Sequence, residues 1–125
     1  RRLLGGEDSS REIADMYAID KYLNTHFREA LTEEALAREF HIGKRQLNGM
    51  IAALYGQSLK QRLISIRQSS AAYLLRTTVQ SVEEIVQEVG YASVSNFSRT
   101  FRELYGVSPG EYRRECSAAK AKKEP

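Results

Sequence analysis

The stretch GYASVSNFSRTFRELYG, residues 90–106, decides how this chain is read. Phe97 and Phe101 lie four residues apart, so on a helix they share one face, which any core would accept. The opposite face carries Ser95, Ser98, Arg99 and Arg102. Solvated helix faces are usually filled with glutamate and lysine. A face of hydroxyls and arginines with no acid points to a partner instead.

Outward from this stretch the punctuation is helical, and no alternating apolar pattern of strand length occurs. Ser58-x-x-Gln61, Ser81-x-x-Glu84 and Ser108-x-x-Glu111 fit the capping box, the last with Pro109 at the first helical position. They open helices over 58–76, 81–89 and 109–116. A helix starting near Ser93 ends before Gly106. On the N-terminal side, Met16, Ile19, Leu23 and Phe27 form the stripe of a helix over 11–27. Thr32 caps a short helix to about residue 39, with Glu33 and Glu34 where the helix dipole favours them. A third runs over 44–54 and stops before Gly56. The expectation is an all-α fold of seven helices.

The chain also repeats itself. EEALAREFHI at 33–42 and VEEIVQEVGY at 82–91 share an acidic first turn and apolar residues at Leu36 and Phe40, or Ile85 and Val89. Leu47, Ile51, Tyr55 and Gly56 then return as Phe97, Phe101, Tyr105 and Gly106, each 50 positions on. Each copy is a short helix, a turn and a second helix, the arrangement of helix-turn-helix DNA readers.

At about 100° per residue, setting Phe97 inward places Phe101 and Leu104 beside it and Ser95, Ser98, Arg99 and Arg102 opposite. In the first copy Leu47, Met50, Ile51 and Leu54 form the inner stripe, while Arg45, Asn48, Gly49 and Ala52 face away. Neither outer face holds an acid. Phosphates repel carboxylates, and base edges take short hydrogen-bonding groups and a bidentate arginine on guanine O6 and N7, so such a face suits a major groove. The helix over 58–76 has 19 residues. It spans roughly 28 Å and, with the bulk at its ends, could hold two readers about one DNA turn, roughly 34 Å, apart.

Composition narrows the remaining classes. The 125 residues are 42% hydrophobic, enough for a core, and carry a net charge of +3. That charge is uneven: residues 1–40 hold six Lys/Arg against nine Asp/Glu, net −3, and residues 41–125 hold thirteen against seven, net +6. No apolar run approaches the roughly 20 residues of a membrane helix, and no signal peptide opens the chain. Cys116 is the single cysteine, and His26 and His41 stand apart, so no disulfide, metal set or cofactor site is expected. No nucleophile triad or phosphate loop occurs, and an enzyme is not expected. The seven tyrosines are read as core or helix-packing residues. RRLLGGEDSS at the start lacks any period and reads as a linker, and AAKAKKEP as a disordered basic tail.

The segment VGYASVSNFSRTFRELYGVSPGEYRR resembles the signature of the second helix-turn-helix in the AraC/XylS family of bacterial transcription regulators. Gly90, Phe97, Arg99, Phe101, Gly106, Pro109, Tyr112 and Arg113 stand where that signature has them, and the likeness covers about residues 16–114. The resemblance implies two helix-turn-helix subdomains, 11–57 and 77–116, joined by a long linking helix, 58–76, with a linker at 1–10 and a tail at 117–125. It implies base reading by Arg45, Asn48 and Gly49 from the first recognition helix, about 44–54. From the second, about 93–104, it implies base reading by Val94, Ser95, Ser98 and Arg99. Phosphates would be met by Lys44, Ser58, Arg67, Arg102, Ser108 and Arg113, which position the protein without reading sequence. It further implies double-stranded promoter DNA and RNA polymerase as partners, a cytoplasmic activator, and an effector-binding or dimerising domain beyond this fragment.

The first copy departs from that pattern. Gly43 replaces the usual hydroxyl cap, Gly49 a long side chain, Ala52 and Ala53 a basic pair, and Arg62 an aromatic. Glycine inside a helix costs about 1 kcal/mol relative to alanine, so the second reader is expected to carry most of the specificity. The competing class, a helical protein-interaction adaptor, needs an exposed apolar face, whereas both outer faces here are polar.

Overall fold

The computed structural model describes residues 6–123, with side-chain environments for residues 10–119. Its described residues form α1 (Gly6–His26), α2 (Glu33–Glu39), α3 (Lys44–Tyr55), α4 (Leu59–Thr77), α5 (Val82–Glu88), α6 (Val94–Tyr105) and α7 (Pro109–Lys123), with no strand among them. The chain divides into two compact units, one up to Ile64 and one from Ser65 onward. The division falls inside α4, so the linking helix is not a separate body: its first turns belong to one unit and its remainder to the other.

In the first unit, α2 and α1 both pack on α3. The core comprises Ile19, Leu23, Leu36, Leu47 and Ile51, all essentially without solvent contact, with Leu59 and Leu63 from α4 also buried. Tyr55, at the end of α3, donates a hydrogen bond to Asp20 of α1. Burial and that bond push the Tyr55 phenol well above its ordinary pKa, so it remains a donor. Arg62 stands where an aromatic was expected, and its flat guanidinium lies over the Tyr55 ring at 4.3 Å. A stacked cation thus supplies the planar contact, with the Arg62 Nε buried and without a hydrogen-bond partner.

The second unit packs α5 and α7 against α6. Phe97 and Phe101 are fully buried among Ile85, Val86 and Val89. Phe101 meets Tyr112 edge-on and stacks with Tyr105 at 4.4 Å. Gln68 of α4 is buried in this core, where its Nε2 donates to the Tyr91 hydroxyl at 2.9 Å and to the Phe97 carbonyl at 3.3 Å. It ties the turn to the helix that follows.

The repeat extends to the backbone. His41 N–H bonds the Arg38 carbonyl and Ile42 N–H that of Ala37; Gly90 and Tyr91 make the same pair with Gln87 and Val86. His41 (φ 57°) and Gly90 (φ 93°) hold the same left-handed position. Glycine takes it freely, whereas histidine does so at a cost of roughly 1–2 kcal/mol. The turns are residues 40–43 and 89–93, so the second is one residue longer. That insertion explains why the repeat spacing changes from 49 before the turn to 50 after it.

Four expectations need correction. Residues 6–10, read as linker, are already helical, while residues 1–5 of that linker lie outside the described residues. α7 continues past residue 116 to Lys123, because alanine and lysine favour helix without needing a buried stripe. Leu104, placed inward by the helical wheel, is 55% exposed. It sits in the last turn of α6, where Tyr105 and not Leu104 stacks on Phe101. Tyr17 and Tyr73, read as packing residues, are 70% and 57% exposed.

Candidate nucleic-acid interface

The two recognition helices differ first in how they begin. Ser93 caps α6, its hydroxyl accepting the Asn96 N–H at 3.1 Å. α3 begins on Gly43, which offers no side-chain cap. Both end on a left-handed glycine, Gly56 and Gly106. A serine cap contributes a few tenths of a kcal/mol over glycine, so the α6 N-terminus is the better fixed. The residues expected to read bases from α6 lie toward that end.

On α6, Ser95, Arg99 and Arg102 are exposed and Ser98 half-buried, on the side away from Phe97 and Phe101, whereas Val94 is exposed in the first turn on the Phe101 side, seven residues before it. On α3, Arg45 and Gly49 are exposed and Asn48 half-buried, away from Leu47 and Ile51. The expected readers of α3 thus lie on one outer face without a carboxylate, and those of α6 other than Val94 on a like face with the exposed Glu103 at its edge, one turn beyond Arg99. A Cβ on Gly49 would meet nothing within 4 Å, so glycine is not required there by packing.

The expected phosphate contacts fare differently. Arg102 is exposed. Lys44 is exposed too, but it is held by Glu34 at 2.9 Å and Glu33 at 3.6 Å, both on α2. The hydrogen bond with Glu34 raises the Lys44 pKa and lowers that of Glu34, so phosphate would have to compete with two carboxylates for this cation. Arg67 is half-buried, and desolvation lowers its pKa. The Ser58 and Ser108 hydroxyls cap α4 and α7, accepting the Gln61 and Glu111 N–H groups at 3.2 Å each.

Arg113 is the clear departure. It is half-buried. Its Nε donates to the Leu75 carbonyl at 3.1 Å and its Nη2 to the Thr78 carbonyl at 3.2 Å. These carbonyls close the C-terminal end of α4, so Arg113 clamps α7 onto α4 and its fork is already engaged within the protein. Arg76, at the same end of α4, donates to the Tyr112 hydroxyl at 2.7 Å. Asn96 is a residue the sequence reading passed over: its Oδ1 accepts a hydrogen bond from Arg99 Nη2. The three-residue spacing on a helix was the available sign of this pair. Gln68 was also missed, since a glutamine in a surface-rich helix gives no sign of burial.

A family model described as a helix-turn-helix domain matches residues 36–115, running from inside α2 to inside α7 and so including both recognition helices. The chain is 32% identical over 117 residues to the HTH-type transcriptional activator RhaS of Escherichia fergusonii, covering 94% of this chain and 41% of that protein. This chain belongs to the AraC/XylS family. Among solved structures, the C-terminal domain of AraT, a response regulator from Geobacillus stearothermophilus, superposes with a TM-score of 0.74 at 35% identity, over 80% of this chain and 84% of that one. The DNA-binding domain of the transcriptional factor AdpA, solved with a target DNA, matches with a TM-score of 0.75 at 28% identity, over 86% and 95%. The chain thus spans less than half the length of its relative RhaS. No described helix is long and apolar enough to cross a membrane.

Proposed function

We propose that this chain is a sequence-specific binder of double-stranded promoter DNA, inserting α3 and α6 into successive major grooves to control transcription. One observation carries the proposal: a polar outer face, free of acid on α3 and with Glu103 only at its edge on α6, recurs at the same place in both copies. Arg45, Asn48 and Gly49 read bases from α3, and Val94, Ser95, Ser98 and Arg99 from α6. Arg102 and, after release from its acid pair, Lys44 hold phosphates. The Ser58 and Ser108 N-termini of α4 and α7 add backbone N–H donors, and Arg67 adds positive charge nearby. The chain acts as a binding module with no catalytic step.

Membership beside an activator supports activation, with RNA polymerase as the second partner and the cytoplasm as the compartment. The part of the full protein beyond this chain would then sense an effector or dimerise. Backbone footprinting of a bound promoter tests the DNA mode. Two protected patches on one side of the duplex, about one helical turn apart, are expected. A single patch would overturn tandem insertion.

A further inference from the structure

We propose that Asn96 is a positioning residue that fixes the orientation of Arg99 and thereby sets the base preference of the second reader. The inference rests on the proposed reading of Arg99 as a base contact and names how that contact is built. Arg99 and Asn96 are both exposed on α6, yet Arg99 Nη2 donates to Asn96 Oδ1. Arginine only donates, so the amide oxygen must face it. The bond uses one guanidinium hydrogen and leaves enough donors for a bidentate pair on guanine.

Two features make this more than an incidental surface contact. First, Asn96 is itself anchored, since its backbone N–H is held by the Ser93 hydroxyl at 3.1 Å. The acceptor therefore stands on the fixed first turn of α6. Second, the partner is a neutral amide. Lys44 of the first copy is held by two carboxylates, whereas Arg99 makes no ion pair among the described residues. Arg99 is oriented without being neutralised, and its charge stays available to DNA. At the matching positions of the first copy stand Gln46 and Gly49, so that reader has no arginine to orient. A long side chain ordered before binding loses less entropy on binding.

The test is the affinity of Asn96→Ala, Asn96→Asp, Arg99→Ala and the double variant Asn96→Ala/Arg99→Ala for a selected site and its single-base-pair variants. Arg99→Ala should lose preference at one base pair. Asn96→Ala should lose about two- to tenfold of preference at that same pair, with little further loss in the double variant. Asn96→Asp keeps the acceptor and should keep the preference, while binding every sequence more weakly because a carboxylate faces phosphate. A loss from Asn96→Ala at a different base pair, or none, overturns the proposal. A uniform loss from Arg99→Ala overturns the underlying reading and the proposal with it. Circular dichroism of each variant separates these outcomes from unfolding, since Ala at position 96 leaves the Ser93 backbone cap in place.

Discussion

At the scale of single residues, two arginines of similar sequence appeal stand in opposite surroundings. Arg99 is exposed and has no carboxylate partner among the described residues, whereas Arg113 spends its fork on the carbonyls of Leu75 and Thr78. Arg99→Ala should therefore cost about 1–3 kcal/mol at the base pair it reads and leave stability unchanged, as measured on matched base-pair variants. Arg113→Ala should lower unfolding stability by about 1–3 kcal/mol, because two carbonyls at a helix end lose their donors. Its binding should keep the salt dependence of the parent. A drop in the salt slope of about one unit for Arg113→Ala would instead assign it to a phosphate. The sequence could not separate the two arginines, because half-burial of Arg113 arises from α4 and α7 meeting, which no local pattern encodes.

At the scale of elements, helix ends marked by a capping residue or a glycine were legible, and the outer ends of α1 and α7, which carry neither, were not. The Ser58, Ser81 and Ser108 boxes form as their spacing predicts, each with a reciprocal pair of hydrogen bonds. By contrast α1 and α7 overran their expected outer ends, where intrinsic propensity alone decides. Leu104 was misplaced because the helical wheel knows angle but not how far the neighbouring helices reach. Gly49 yields a prediction of its own. Gly49→Ala should stabilise the first unit by about 1 kcal/mol in denaturant unfolding, since nothing lies within 4 Å of the added methyl. A destabilised variant would mean that α3 is held differently.

The Ser108 box also gives a pH dependence. The Ser108 backbone N–H, then its hydroxyl, hold the Glu111 carboxylate below its ordinary value of 4.5. A depressed folded value means that stabilisation is complete above the ordinary range and is lost as pH falls through the folded value. Glu111→Gln keeps an acceptor that does not titrate, as Gln61 already does at α4. This variant should therefore show a shallower loss of stability on acidification below about pH 4.5 than the parent. An unchanged acid limb would remove Glu111 from the account.

At the scale of the molecule, function rests on duplication with divergence. The same backbone turn holds a strained His41 in one unit and a relaxed Gly90 in the other, and the same helix start is uncapped at Gly43 and capped at Ser93. The second unit is thus the more firmly built of the two, which favours it as the main source of specificity. Asn48→Ala should accordingly cost less discrimination than Arg99→Ala on matched and scrambled sites; the reverse order would contradict this division. The repeat was readable from spacing, and the family likeness from the motif at residues 89–114. Which polar groups bond each other was not, since Gln68 to Tyr91 and Arg113 to Thr78 join distant parts of the chain.

The most direct test of the whole account is selection of bound duplexes from a random pool by this chain at two salt concentrations. Paired insertion of α3 and α6 predicts enrichment of two short elements about one helical turn apart, with the α6 element more sharply defined and overall affinity falling as salt rises. Salt-sensitive binding with no enriched sequence would contradict it, leaving only a basic surface.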